Sequence, residues 1–401
     1  MKKIFICLVS LILLLCGCSV NVDSPKPSKD EPVNAVYVKA VWITYFELEK
    51  LTANSNTDKD FEKAVKSAFK EIKSDGFNTV TVQVRPCADA FYKSDYFPVS
   101  KYCFGVQGCE LKYDPLEIMV ETAHKLGLRI EAWINPYRVS QSKEIDDLSD
   151  NNIAKAWYKS DDKKSNVYVD DKIYFNPASS EVKELIVNGV KEIVEKYAVD
   201  AIHFDDYFYP STSKAVDKKE YRSYKKSGGD LSLADWRREN VSDMVKSVYS
   251  AIKKVNSSVE FGISPQSKIS ANYNNLYADV ERWATEEGFV DYICPQIYFG
   301  FYNEVQPFTK TAKDWASLTT SCRLYVGLPL YKSGQEDKFA SVDKDYAINE
   351  FKESNNVISR QISYLSQLEN VNGFYIYSYS YLIDEENESV AEEVKNIKAV
   401  M

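Results

Sequence analysis

The sequence predicts a closed α/β barrel of the (β/α)8 type, on three observations. Past residue 35 the chain alternates strand-like and helix-like runs about eight times. The first strand-like run leads into Ile43-Thr44-Tyr45-Phe46, without the glycine-rich phosphate turn that a doubly wound open sheet places there. Several strand-like runs are apolar along their length and polar at their C-terminal tips, where barrel enzymes carry their chemistry.

The elements follow in order. Residues 36–44 read as a strand. Residues 58–74 have helical spacing of Phe61, Val65, Ala68, Phe69 and Ile72. Strands are predicted over 77–84, 128–134, 200–204, 259–264, 290–297, 323–330 and 373–378. Helices are predicted over 115–126, 181–197, 234–255, 275–287, 308–318 and 357–368. Ser180 is the expected N-cap of the 181–197 helix.

The N-terminus reads as a targeting segment. Lys2 and Lys3 precede an apolar run over residues 4–15, and Leu15-Cys16-Gly17-Cys18 has the form of a bacterial lipobox. The expected organisation is a signal over 1–17, the lipidated Cys18 with a flexible Ser/Pro/Lys/Asp tether over 18–34, and the barrel over 35–401. That places the protein on the extracytoplasmic face of the membrane, held by its lipid.

Composition narrows the function. The 401 residues are 44% hydrophobic with a net charge of -9, which argues against a nucleic-acid partner. Two His and no Cys-x-x-Cys pair argue against a metal site, and no cofactor is expected. Export permits disulfides, and Cys103 and Cys109 flank a short glycine-containing loop across which they are able to pair. Cys294 and Cys322 sit in apolar runs as buried thiols. The 29 Tyr serve either as packing or as platforms for sugar rings.

The central segment, Asp200-Ala-Ile-His-Phe-Asp-Asp-Tyr-Phe-Tyr-Pro210, is the most informative. It begins as an apolar strand and ends in two carboxylates and three aromatics. Side chains on a strand alternate faces. One parity collects Gln83 and Arg85, Glu131, Trp133 and Asn135, His203 and Asp205, Ser264 and Gln266, Gln296 and Tyr298, and Tyr377 and Tyr379. The opposite parity is mostly apolar and must face the helices. The polar parity then converges on the barrel mouth.

Carboxylates, amides and aromatic faces suit glycoside hydrolysis, in which an acid protonates the leaving oxygen. Asp205 is placed inside and Asp206 at the rim, since adjacent strand residues point to opposite faces. A second carboxylate is sought in Glu131, which has the right parity but lies early in its strand, or in Asp89 in the loop after the second strand. The remaining option is substrate assistance, in which the sugar's own N-acetyl group attacks and Tyr298 orients it. Arg85 either binds substrate or neutralises Asp205. Trp133, Tyr137, Tyr207 and Tyr298 are candidate sugar platforms. Asn135, Arg138, His203, Gln266, Gln296 and Tyr379 complete the predicted binding set.

These residues fall in a series of runs: Ala40-Val41-Trp42-Ile43, Gln83-Val84-Arg85-Pro86, Asp89-Ala90-Phe91-Tyr92, Glu131-Ala132-Trp133-Ile134-Asn135-Pro136-Tyr137-Arg138, His203-Phe204-Asp205-Asp206-Tyr207, Gly262-Ile263-Ser264-Pro265 and Asp291-Tyr292-Ile293-Cys294-Pro295-Gln296-Ile297-Tyr298. Together they resemble the glycosyl-hydrolase-like family 10, found in bacterial lipoproteins. The resemblance implies a (β/α)8 barrel and hydrolysis of a glycan, with bacterial cell-wall glycan the leading substrate. A non-catalytic glycan-binding lipoprotein on an inert barrel is the alternative. A transporter's binding protein is disfavoured, because it needs two similar lobes and the alternation here is continuous.

Overall fold

The computed structural model describes residues 36–401, so the signal, Cys18 and the tether lie outside the described residues. Eight parallel strands close into a barrel: β1 (Val38–Ile43), β2 (Thr79–Arg85), β3 (Arg129–Ile134), β4 (Ala201–Phe204), β5 (Glu260–Ile263), β6 (Tyr292–Ile293), β7 (Arg323–Leu328) and β8 (Val371–Tyr377). Each pairs with its neighbours in sequence, and β8 closes against β1. The predicted fold class is therefore correct.

Strand alternation separates two cores. Outward residues such as Val41, Val80, Val82, Ile130, Ile202, Phe204, Phe261 and Ile263 pack with the apolar stripes of the helices. Inward residues form a second cluster from Ala40, Trp42, Trp133, Ala201, Tyr292, Cys294, Tyr325 and Tyr375. This interior is crowded with rings, and glycines make room for them. A Cβ on Gly262 would lie 2.0 Å from the Tyr292 ring, and one on Gly327 would lie 2.7 Å from Trp42.

Local chemistry sets the helices. Asp58–Ser74 starts with a reciprocal capping box between Thr57 and Asp60 and buries the five predicted apolar residues. Leu233–Val255 starts at Ser232, whose hydroxyl accepts from the Asp235 N–H at 3.2 Å. Ser180–Lys196 is capped by Ser179 rather than Ser180, one residue earlier than expected.

The structure departs from the sequence reading in three further places. The 275–287 helix is replaced by Ile269–Asn275 and Val280–Thr285, because Tyr277 takes a left-handed φ of 52° between them. The sixth strand is short, since Pro295 has no N–H for the ladder, although Gln296 still bridges to Gln266 and Gly327. Helices Tyr45–Ala53 and Glu388–Val400, and a small sheet of Arg138–Ser140, Val167–Val169 and Ile173–Phe175, were not anticipated. Cys103 and Cys109 are both free thiols, as are Cys87, Cys294 and Cys322.

Glu131 sits deep in the barrel rather than at its mouth. Its carboxylate is fully buried and accepts hydrogen bonds from the Tyr292 hydroxyl (3.0 Å), the Tyr375 hydroxyl (2.9 Å), Thr81 Oγ1 (2.9 Å) and Arg129 Nε (3.1 Å). Arg129 continues to Glu260, and Glu260 to Arg323. This is a structural ion network, and it corrects the catalytic expectation for Glu131. Removing one member strands the others without water. Glu131→Ala should therefore lower unfolding stability by about 3–5 kcal/mol in denaturant titration. A variant as stable as the parent would show that the network contributes nothing.

Candidate active site

A cavity of about 350 Å³ opens at the C-terminal ends of the barrel strands. Trp42 and Thr44 enter it from the end of β1, Gln83 from β2 and Trp133 from β3. His203, Asp205 and Asp206 come from the end of β4, Ser264 follows β5, Gln296 and Tyr298 follow β6, and Tyr377 ends β8. The segments beyond the strands add Tyr45 and Phe46 from the helix Tyr45–Ala53, Arg138 from the small sheet, and Gln141, Tyr207 and Tyr331. The predicted convergence of polar strand ends is thus observed. Phe46 and Tyr207 are 54% and 49% exposed, so two aromatic faces stand open at the rim.

Asp205 follows the last residue of β4 and is 4% exposed. Its Oδ2 accepts from Trp133 Nε1 (3.3 Å) and from Asn135 Nδ2, and its Oδ1 accepts from the Tyr207 N–H (3.3 Å). Asn135 is itself held, since Gln83 Nε2 donates to its Oδ1 at 2.6 Å and the Tyr45 N–H donates to Gln83 Oε1 at 3.2 Å. A line of amides thus runs from the first loop to the carboxylate.

Burial pushes the Asp205 carboxyl up to about 7, and the charge of the adjacent Asp206 adds to that. Arg138, the Tyr207 N–H and the Asn135 amide oppose the shift without cancelling it. Asp206 is half-buried and is also raised, chiefly by desolvation, against the pull of the Gln266 and Gln296 amides. Two raised carboxyls side by side titrate as a unit. The pair holds a proton at a pH where isolated aspartates are ionised.

His203 forms part of the cavity floor. The Trp42 indole can only donate, and its Nε1 lies 3.2 Å from His203 Nε2. The ring proton therefore sits on Nδ1, which donates to the Tyr292 oxygen at 2.9 Å. Burial pulls the imidazole down to about 3, so it is neutral. It orients Trp42 and Tyr292 rather than supplying a proton.

Nine predicted residues come together: Trp133, Asn135, Arg138, His203, Asp205, Asp206, Tyr207, Gln296 and Tyr298. Gln266 is exposed beside Asp206 and does not line the cavity. Four others are corrected, besides Glu131. The β2–β3 register shifts between Gln83 and Arg85, so Gln83 faces inward and Arg85 turns out toward the helices. Arg85 stacks there on Phe97, 4.4 Å from the ring centre, against Gly189. Asp89 is buried in its loop, accepts from Gln107 at 2.8 Å and is lifted by burial to about 6. Tyr137 is enclosed in the outer core. Tyr379 opens the helix Tyr379–Leu382 and donates to Glu71 at 3.3 Å, because the strand ends at Tyr377.

Sequence reasoning missed Trp42, Thr44, Tyr45, Phe46, Gln141 and Tyr331. Trp42 shares the inward parity of Ala40, so the alternation in β1 already contained its signal. Gln141 and Tyr331 arrive from loops, where no period exists to reveal them. Among the described residues, no group of His, Cys, Asp and Glu is arranged to hold a metal ion.

A family model described as Glycosyl hydrolase-like 10 matches residues 37–348. The chain is 33% identical over 355 residues to glycosyl hydrolase YngK of Bacillus subtilis, covering 82% of this chain and 67% of that protein. It is 32% identical over 388 residues to glycosyl hydrolase DigH of Escherichia coli, covering 85% of each. Among solved structures, the glycoside hydrolase domain of PgaB (BpsB) from Bordetella bronchiseptica superposes with a TM-score of 0.57 at 10% identity. That match covers 91% of this chain and 98% of that one, and at such low identity it speaks to the fold alone.

Proposed function

The chain belongs to the glycosyl hydrolase-like 10 family and is a glycoside hydrolase, and from that premise we propose that it cleaves the N-acetylated glycan of the bacterial cell wall. The observation that carries this reading is the Asp205–Asp206 pair, with its raised proton affinity, under open aromatic rings. Stacked rings suit the apolar faces of sugars. No other carboxylate lines the cavity among the described residues.

That last point favours substrate assistance over a pair of carboxylates flanking one bond. In this mechanism the acetamido oxygen of the bound sugar attacks the anomeric carbon. The bond to the leaving oxygen breaks, and that oxygen takes the proton of Asp205. The ionised Asp206 faces the positive charge that develops on the acetamido nitrogen. Water then adds to the anomeric carbon, reopens the ring and returns a proton to Asp205. In this reading Tyr298, which lines the cavity, orients the acetamido group, and Asn135 and Trp133 hold the acid in position.

The lipobox reading adds a location. Cys18 carries the lipid, and the barrel works at the extracytoplasmic face of the membrane within reach of the wall. If Cys18→Ser remains in the membrane fraction with palmitate labelling intact, the anchor assignment fails.

The activity is tested on purified glycan strands freed of peptide, by counting new reducing ends. The parent should release them, with a rate that declines as pH rises through about 7 and Asp205 loses its proton. Asp205→Asn should lower the rate by roughly 10²–10⁴-fold. N-deacetylated strands should resist cleavage. Equal release by Asp205→Asn removes the acid assignment, and equal cutting of deacetylated strands removes the assisted mechanism. Binding without any release favours the inert-barrel alternative.

A further inference from the structure

Arg138 is a charged group inside the cavity that the fold does not pair. It is 6% exposed, and its Nε donates to the Pro86 carbonyl at 2.7 Å. Its guanidinium lies 5.0 Å from the Tyr207 ring centre and 6.0 Å from that of Tyr45. Among the described residues, no oxygen accepts from its two Nη atoms and it joins no ion pair; the buried thiol of Cys87, kept neutral by burial, lies beside it, and Asp205 acts on it through its field.

The contrast with Arg237 is instructive. That side chain is also buried, and its nitrogens are met by both oxygens of Asp217, the Tyr277 hydroxyl and the carbonyls of Thr212 and Ser213. Arg129 is likewise matched by Glu131 and Glu260. Arg85 also leaves its Nη atoms without partners, but it is sealed in the outer core and lines no cavity. Arg138 alone of the four combines unspent donors with access to the site.

We propose that Arg138 determines specificity by binding a carboxylate carried on a sugar ring, either a uronate or the acid ether of an amino sugar, seated in the cavity that holds Asp205. This rests on the glycosidase reading and adds the charge of the substrate to it. The guanidinium presents a planar fork that fits a carboxylate with two parallel hydrogen bonds. The Pro86 carbonyl fixes one edge of that fork, and the Tyr45 and Tyr207 rings confine its face. A nearly buried cation without a partner is unfavourable, and a ligand carboxylate relieves it. The same charge offsets the repulsion that Asp206 exerts on an anionic substrate.

The test uses oligosaccharides of alternating N-acetylglucosamine and N-acetylmuramic acid, in the free-acid form and with that carboxylate reduced to the alcohol. A matching uronate-containing oligosaccharide distinguishes the two carboxylate sources. Dissociation constants are measured by calorimetry, and kcat/KM from reducing ends. The parent should favour one acid over its alcohol by about tenfold or more, which is what a charge-assisted pair contributes. In Arg138→Gln the acid-to-alcohol ratio should fall close to one, and Arg138→Lys should restore part of it. A parent ratio near one overturns the proposal, as does an unchanged ratio in Arg138→Gln. If no oligosaccharide is cleaved, the hydrolytic reading fails, while the binding ratios still decide the role of Arg138.

Discussion

Two carboxyls placed side by side at the tip of one barrel strand, with little water around the inner one, are the constraint on which the site depends. Burying a carboxylate is unfavourable, and burying one beside another is more so. The fold responds with the indole of Trp133, the amide of Asn135 and the N–H of Tyr207, all directed at Asp205. They hold the group in place without restoring its ordinary acidity. A proton retained near neutrality is what a general acid needs.

The barrel interior is the reason this placement holds. Below the cavity, His203, Tyr292, Tyr375 and Glu131 form a continuous run of hydrogen bonds down to the Arg129–Glu260–Arg323 network. His203, Tyr292, Tyr375 and Glu131 have their side-chain polar atoms matched, so ring positions are set by bonding as well as by packing. Trp42 is fixed by His203 beneath it and by the close approach of Gly327 beside it. The site therefore stands on a hydrogen-bonded floor, while its rim is built from exposed rings such as Phe46 and Tyr207.

Much of this was legible from alternation alone. Period two along the strands turned Trp133, His203 and Asp205 inward, because those strands are regular up to their tips, and it also turned Gln296 inward although its strand stops at Ile293. It failed where regularity failed. The register shift in β2 turned Arg85 outward, and the end of β8 released Tyr379 into a helix. Parity alone carries no depth; Glu131 faces the axis as expected, and its early place in the strand puts it too far down to meet a ligand. Residues delivered by loops, Gln141 and Tyr331 among them, have no periodic signature. Chain order predicted the closed barrel well, since consecutive parallel strands joined by helices have few other ways to bury both faces.

The central claim is that the Asp205–Asp206 pair keeps a proton to about neutral pH. Carboxyl carbon NMR of aspartate-labelled protein, followed from pH 3 to 9 in the parent and in Asp205→Asn, tests it most directly. The account predicts one aspartate resonance in the parent that titrates near pH 7 and is missing from the variant. A parent in which no aspartate resonance titrating near pH 7 disappears in Asp205→Asn would contradict it.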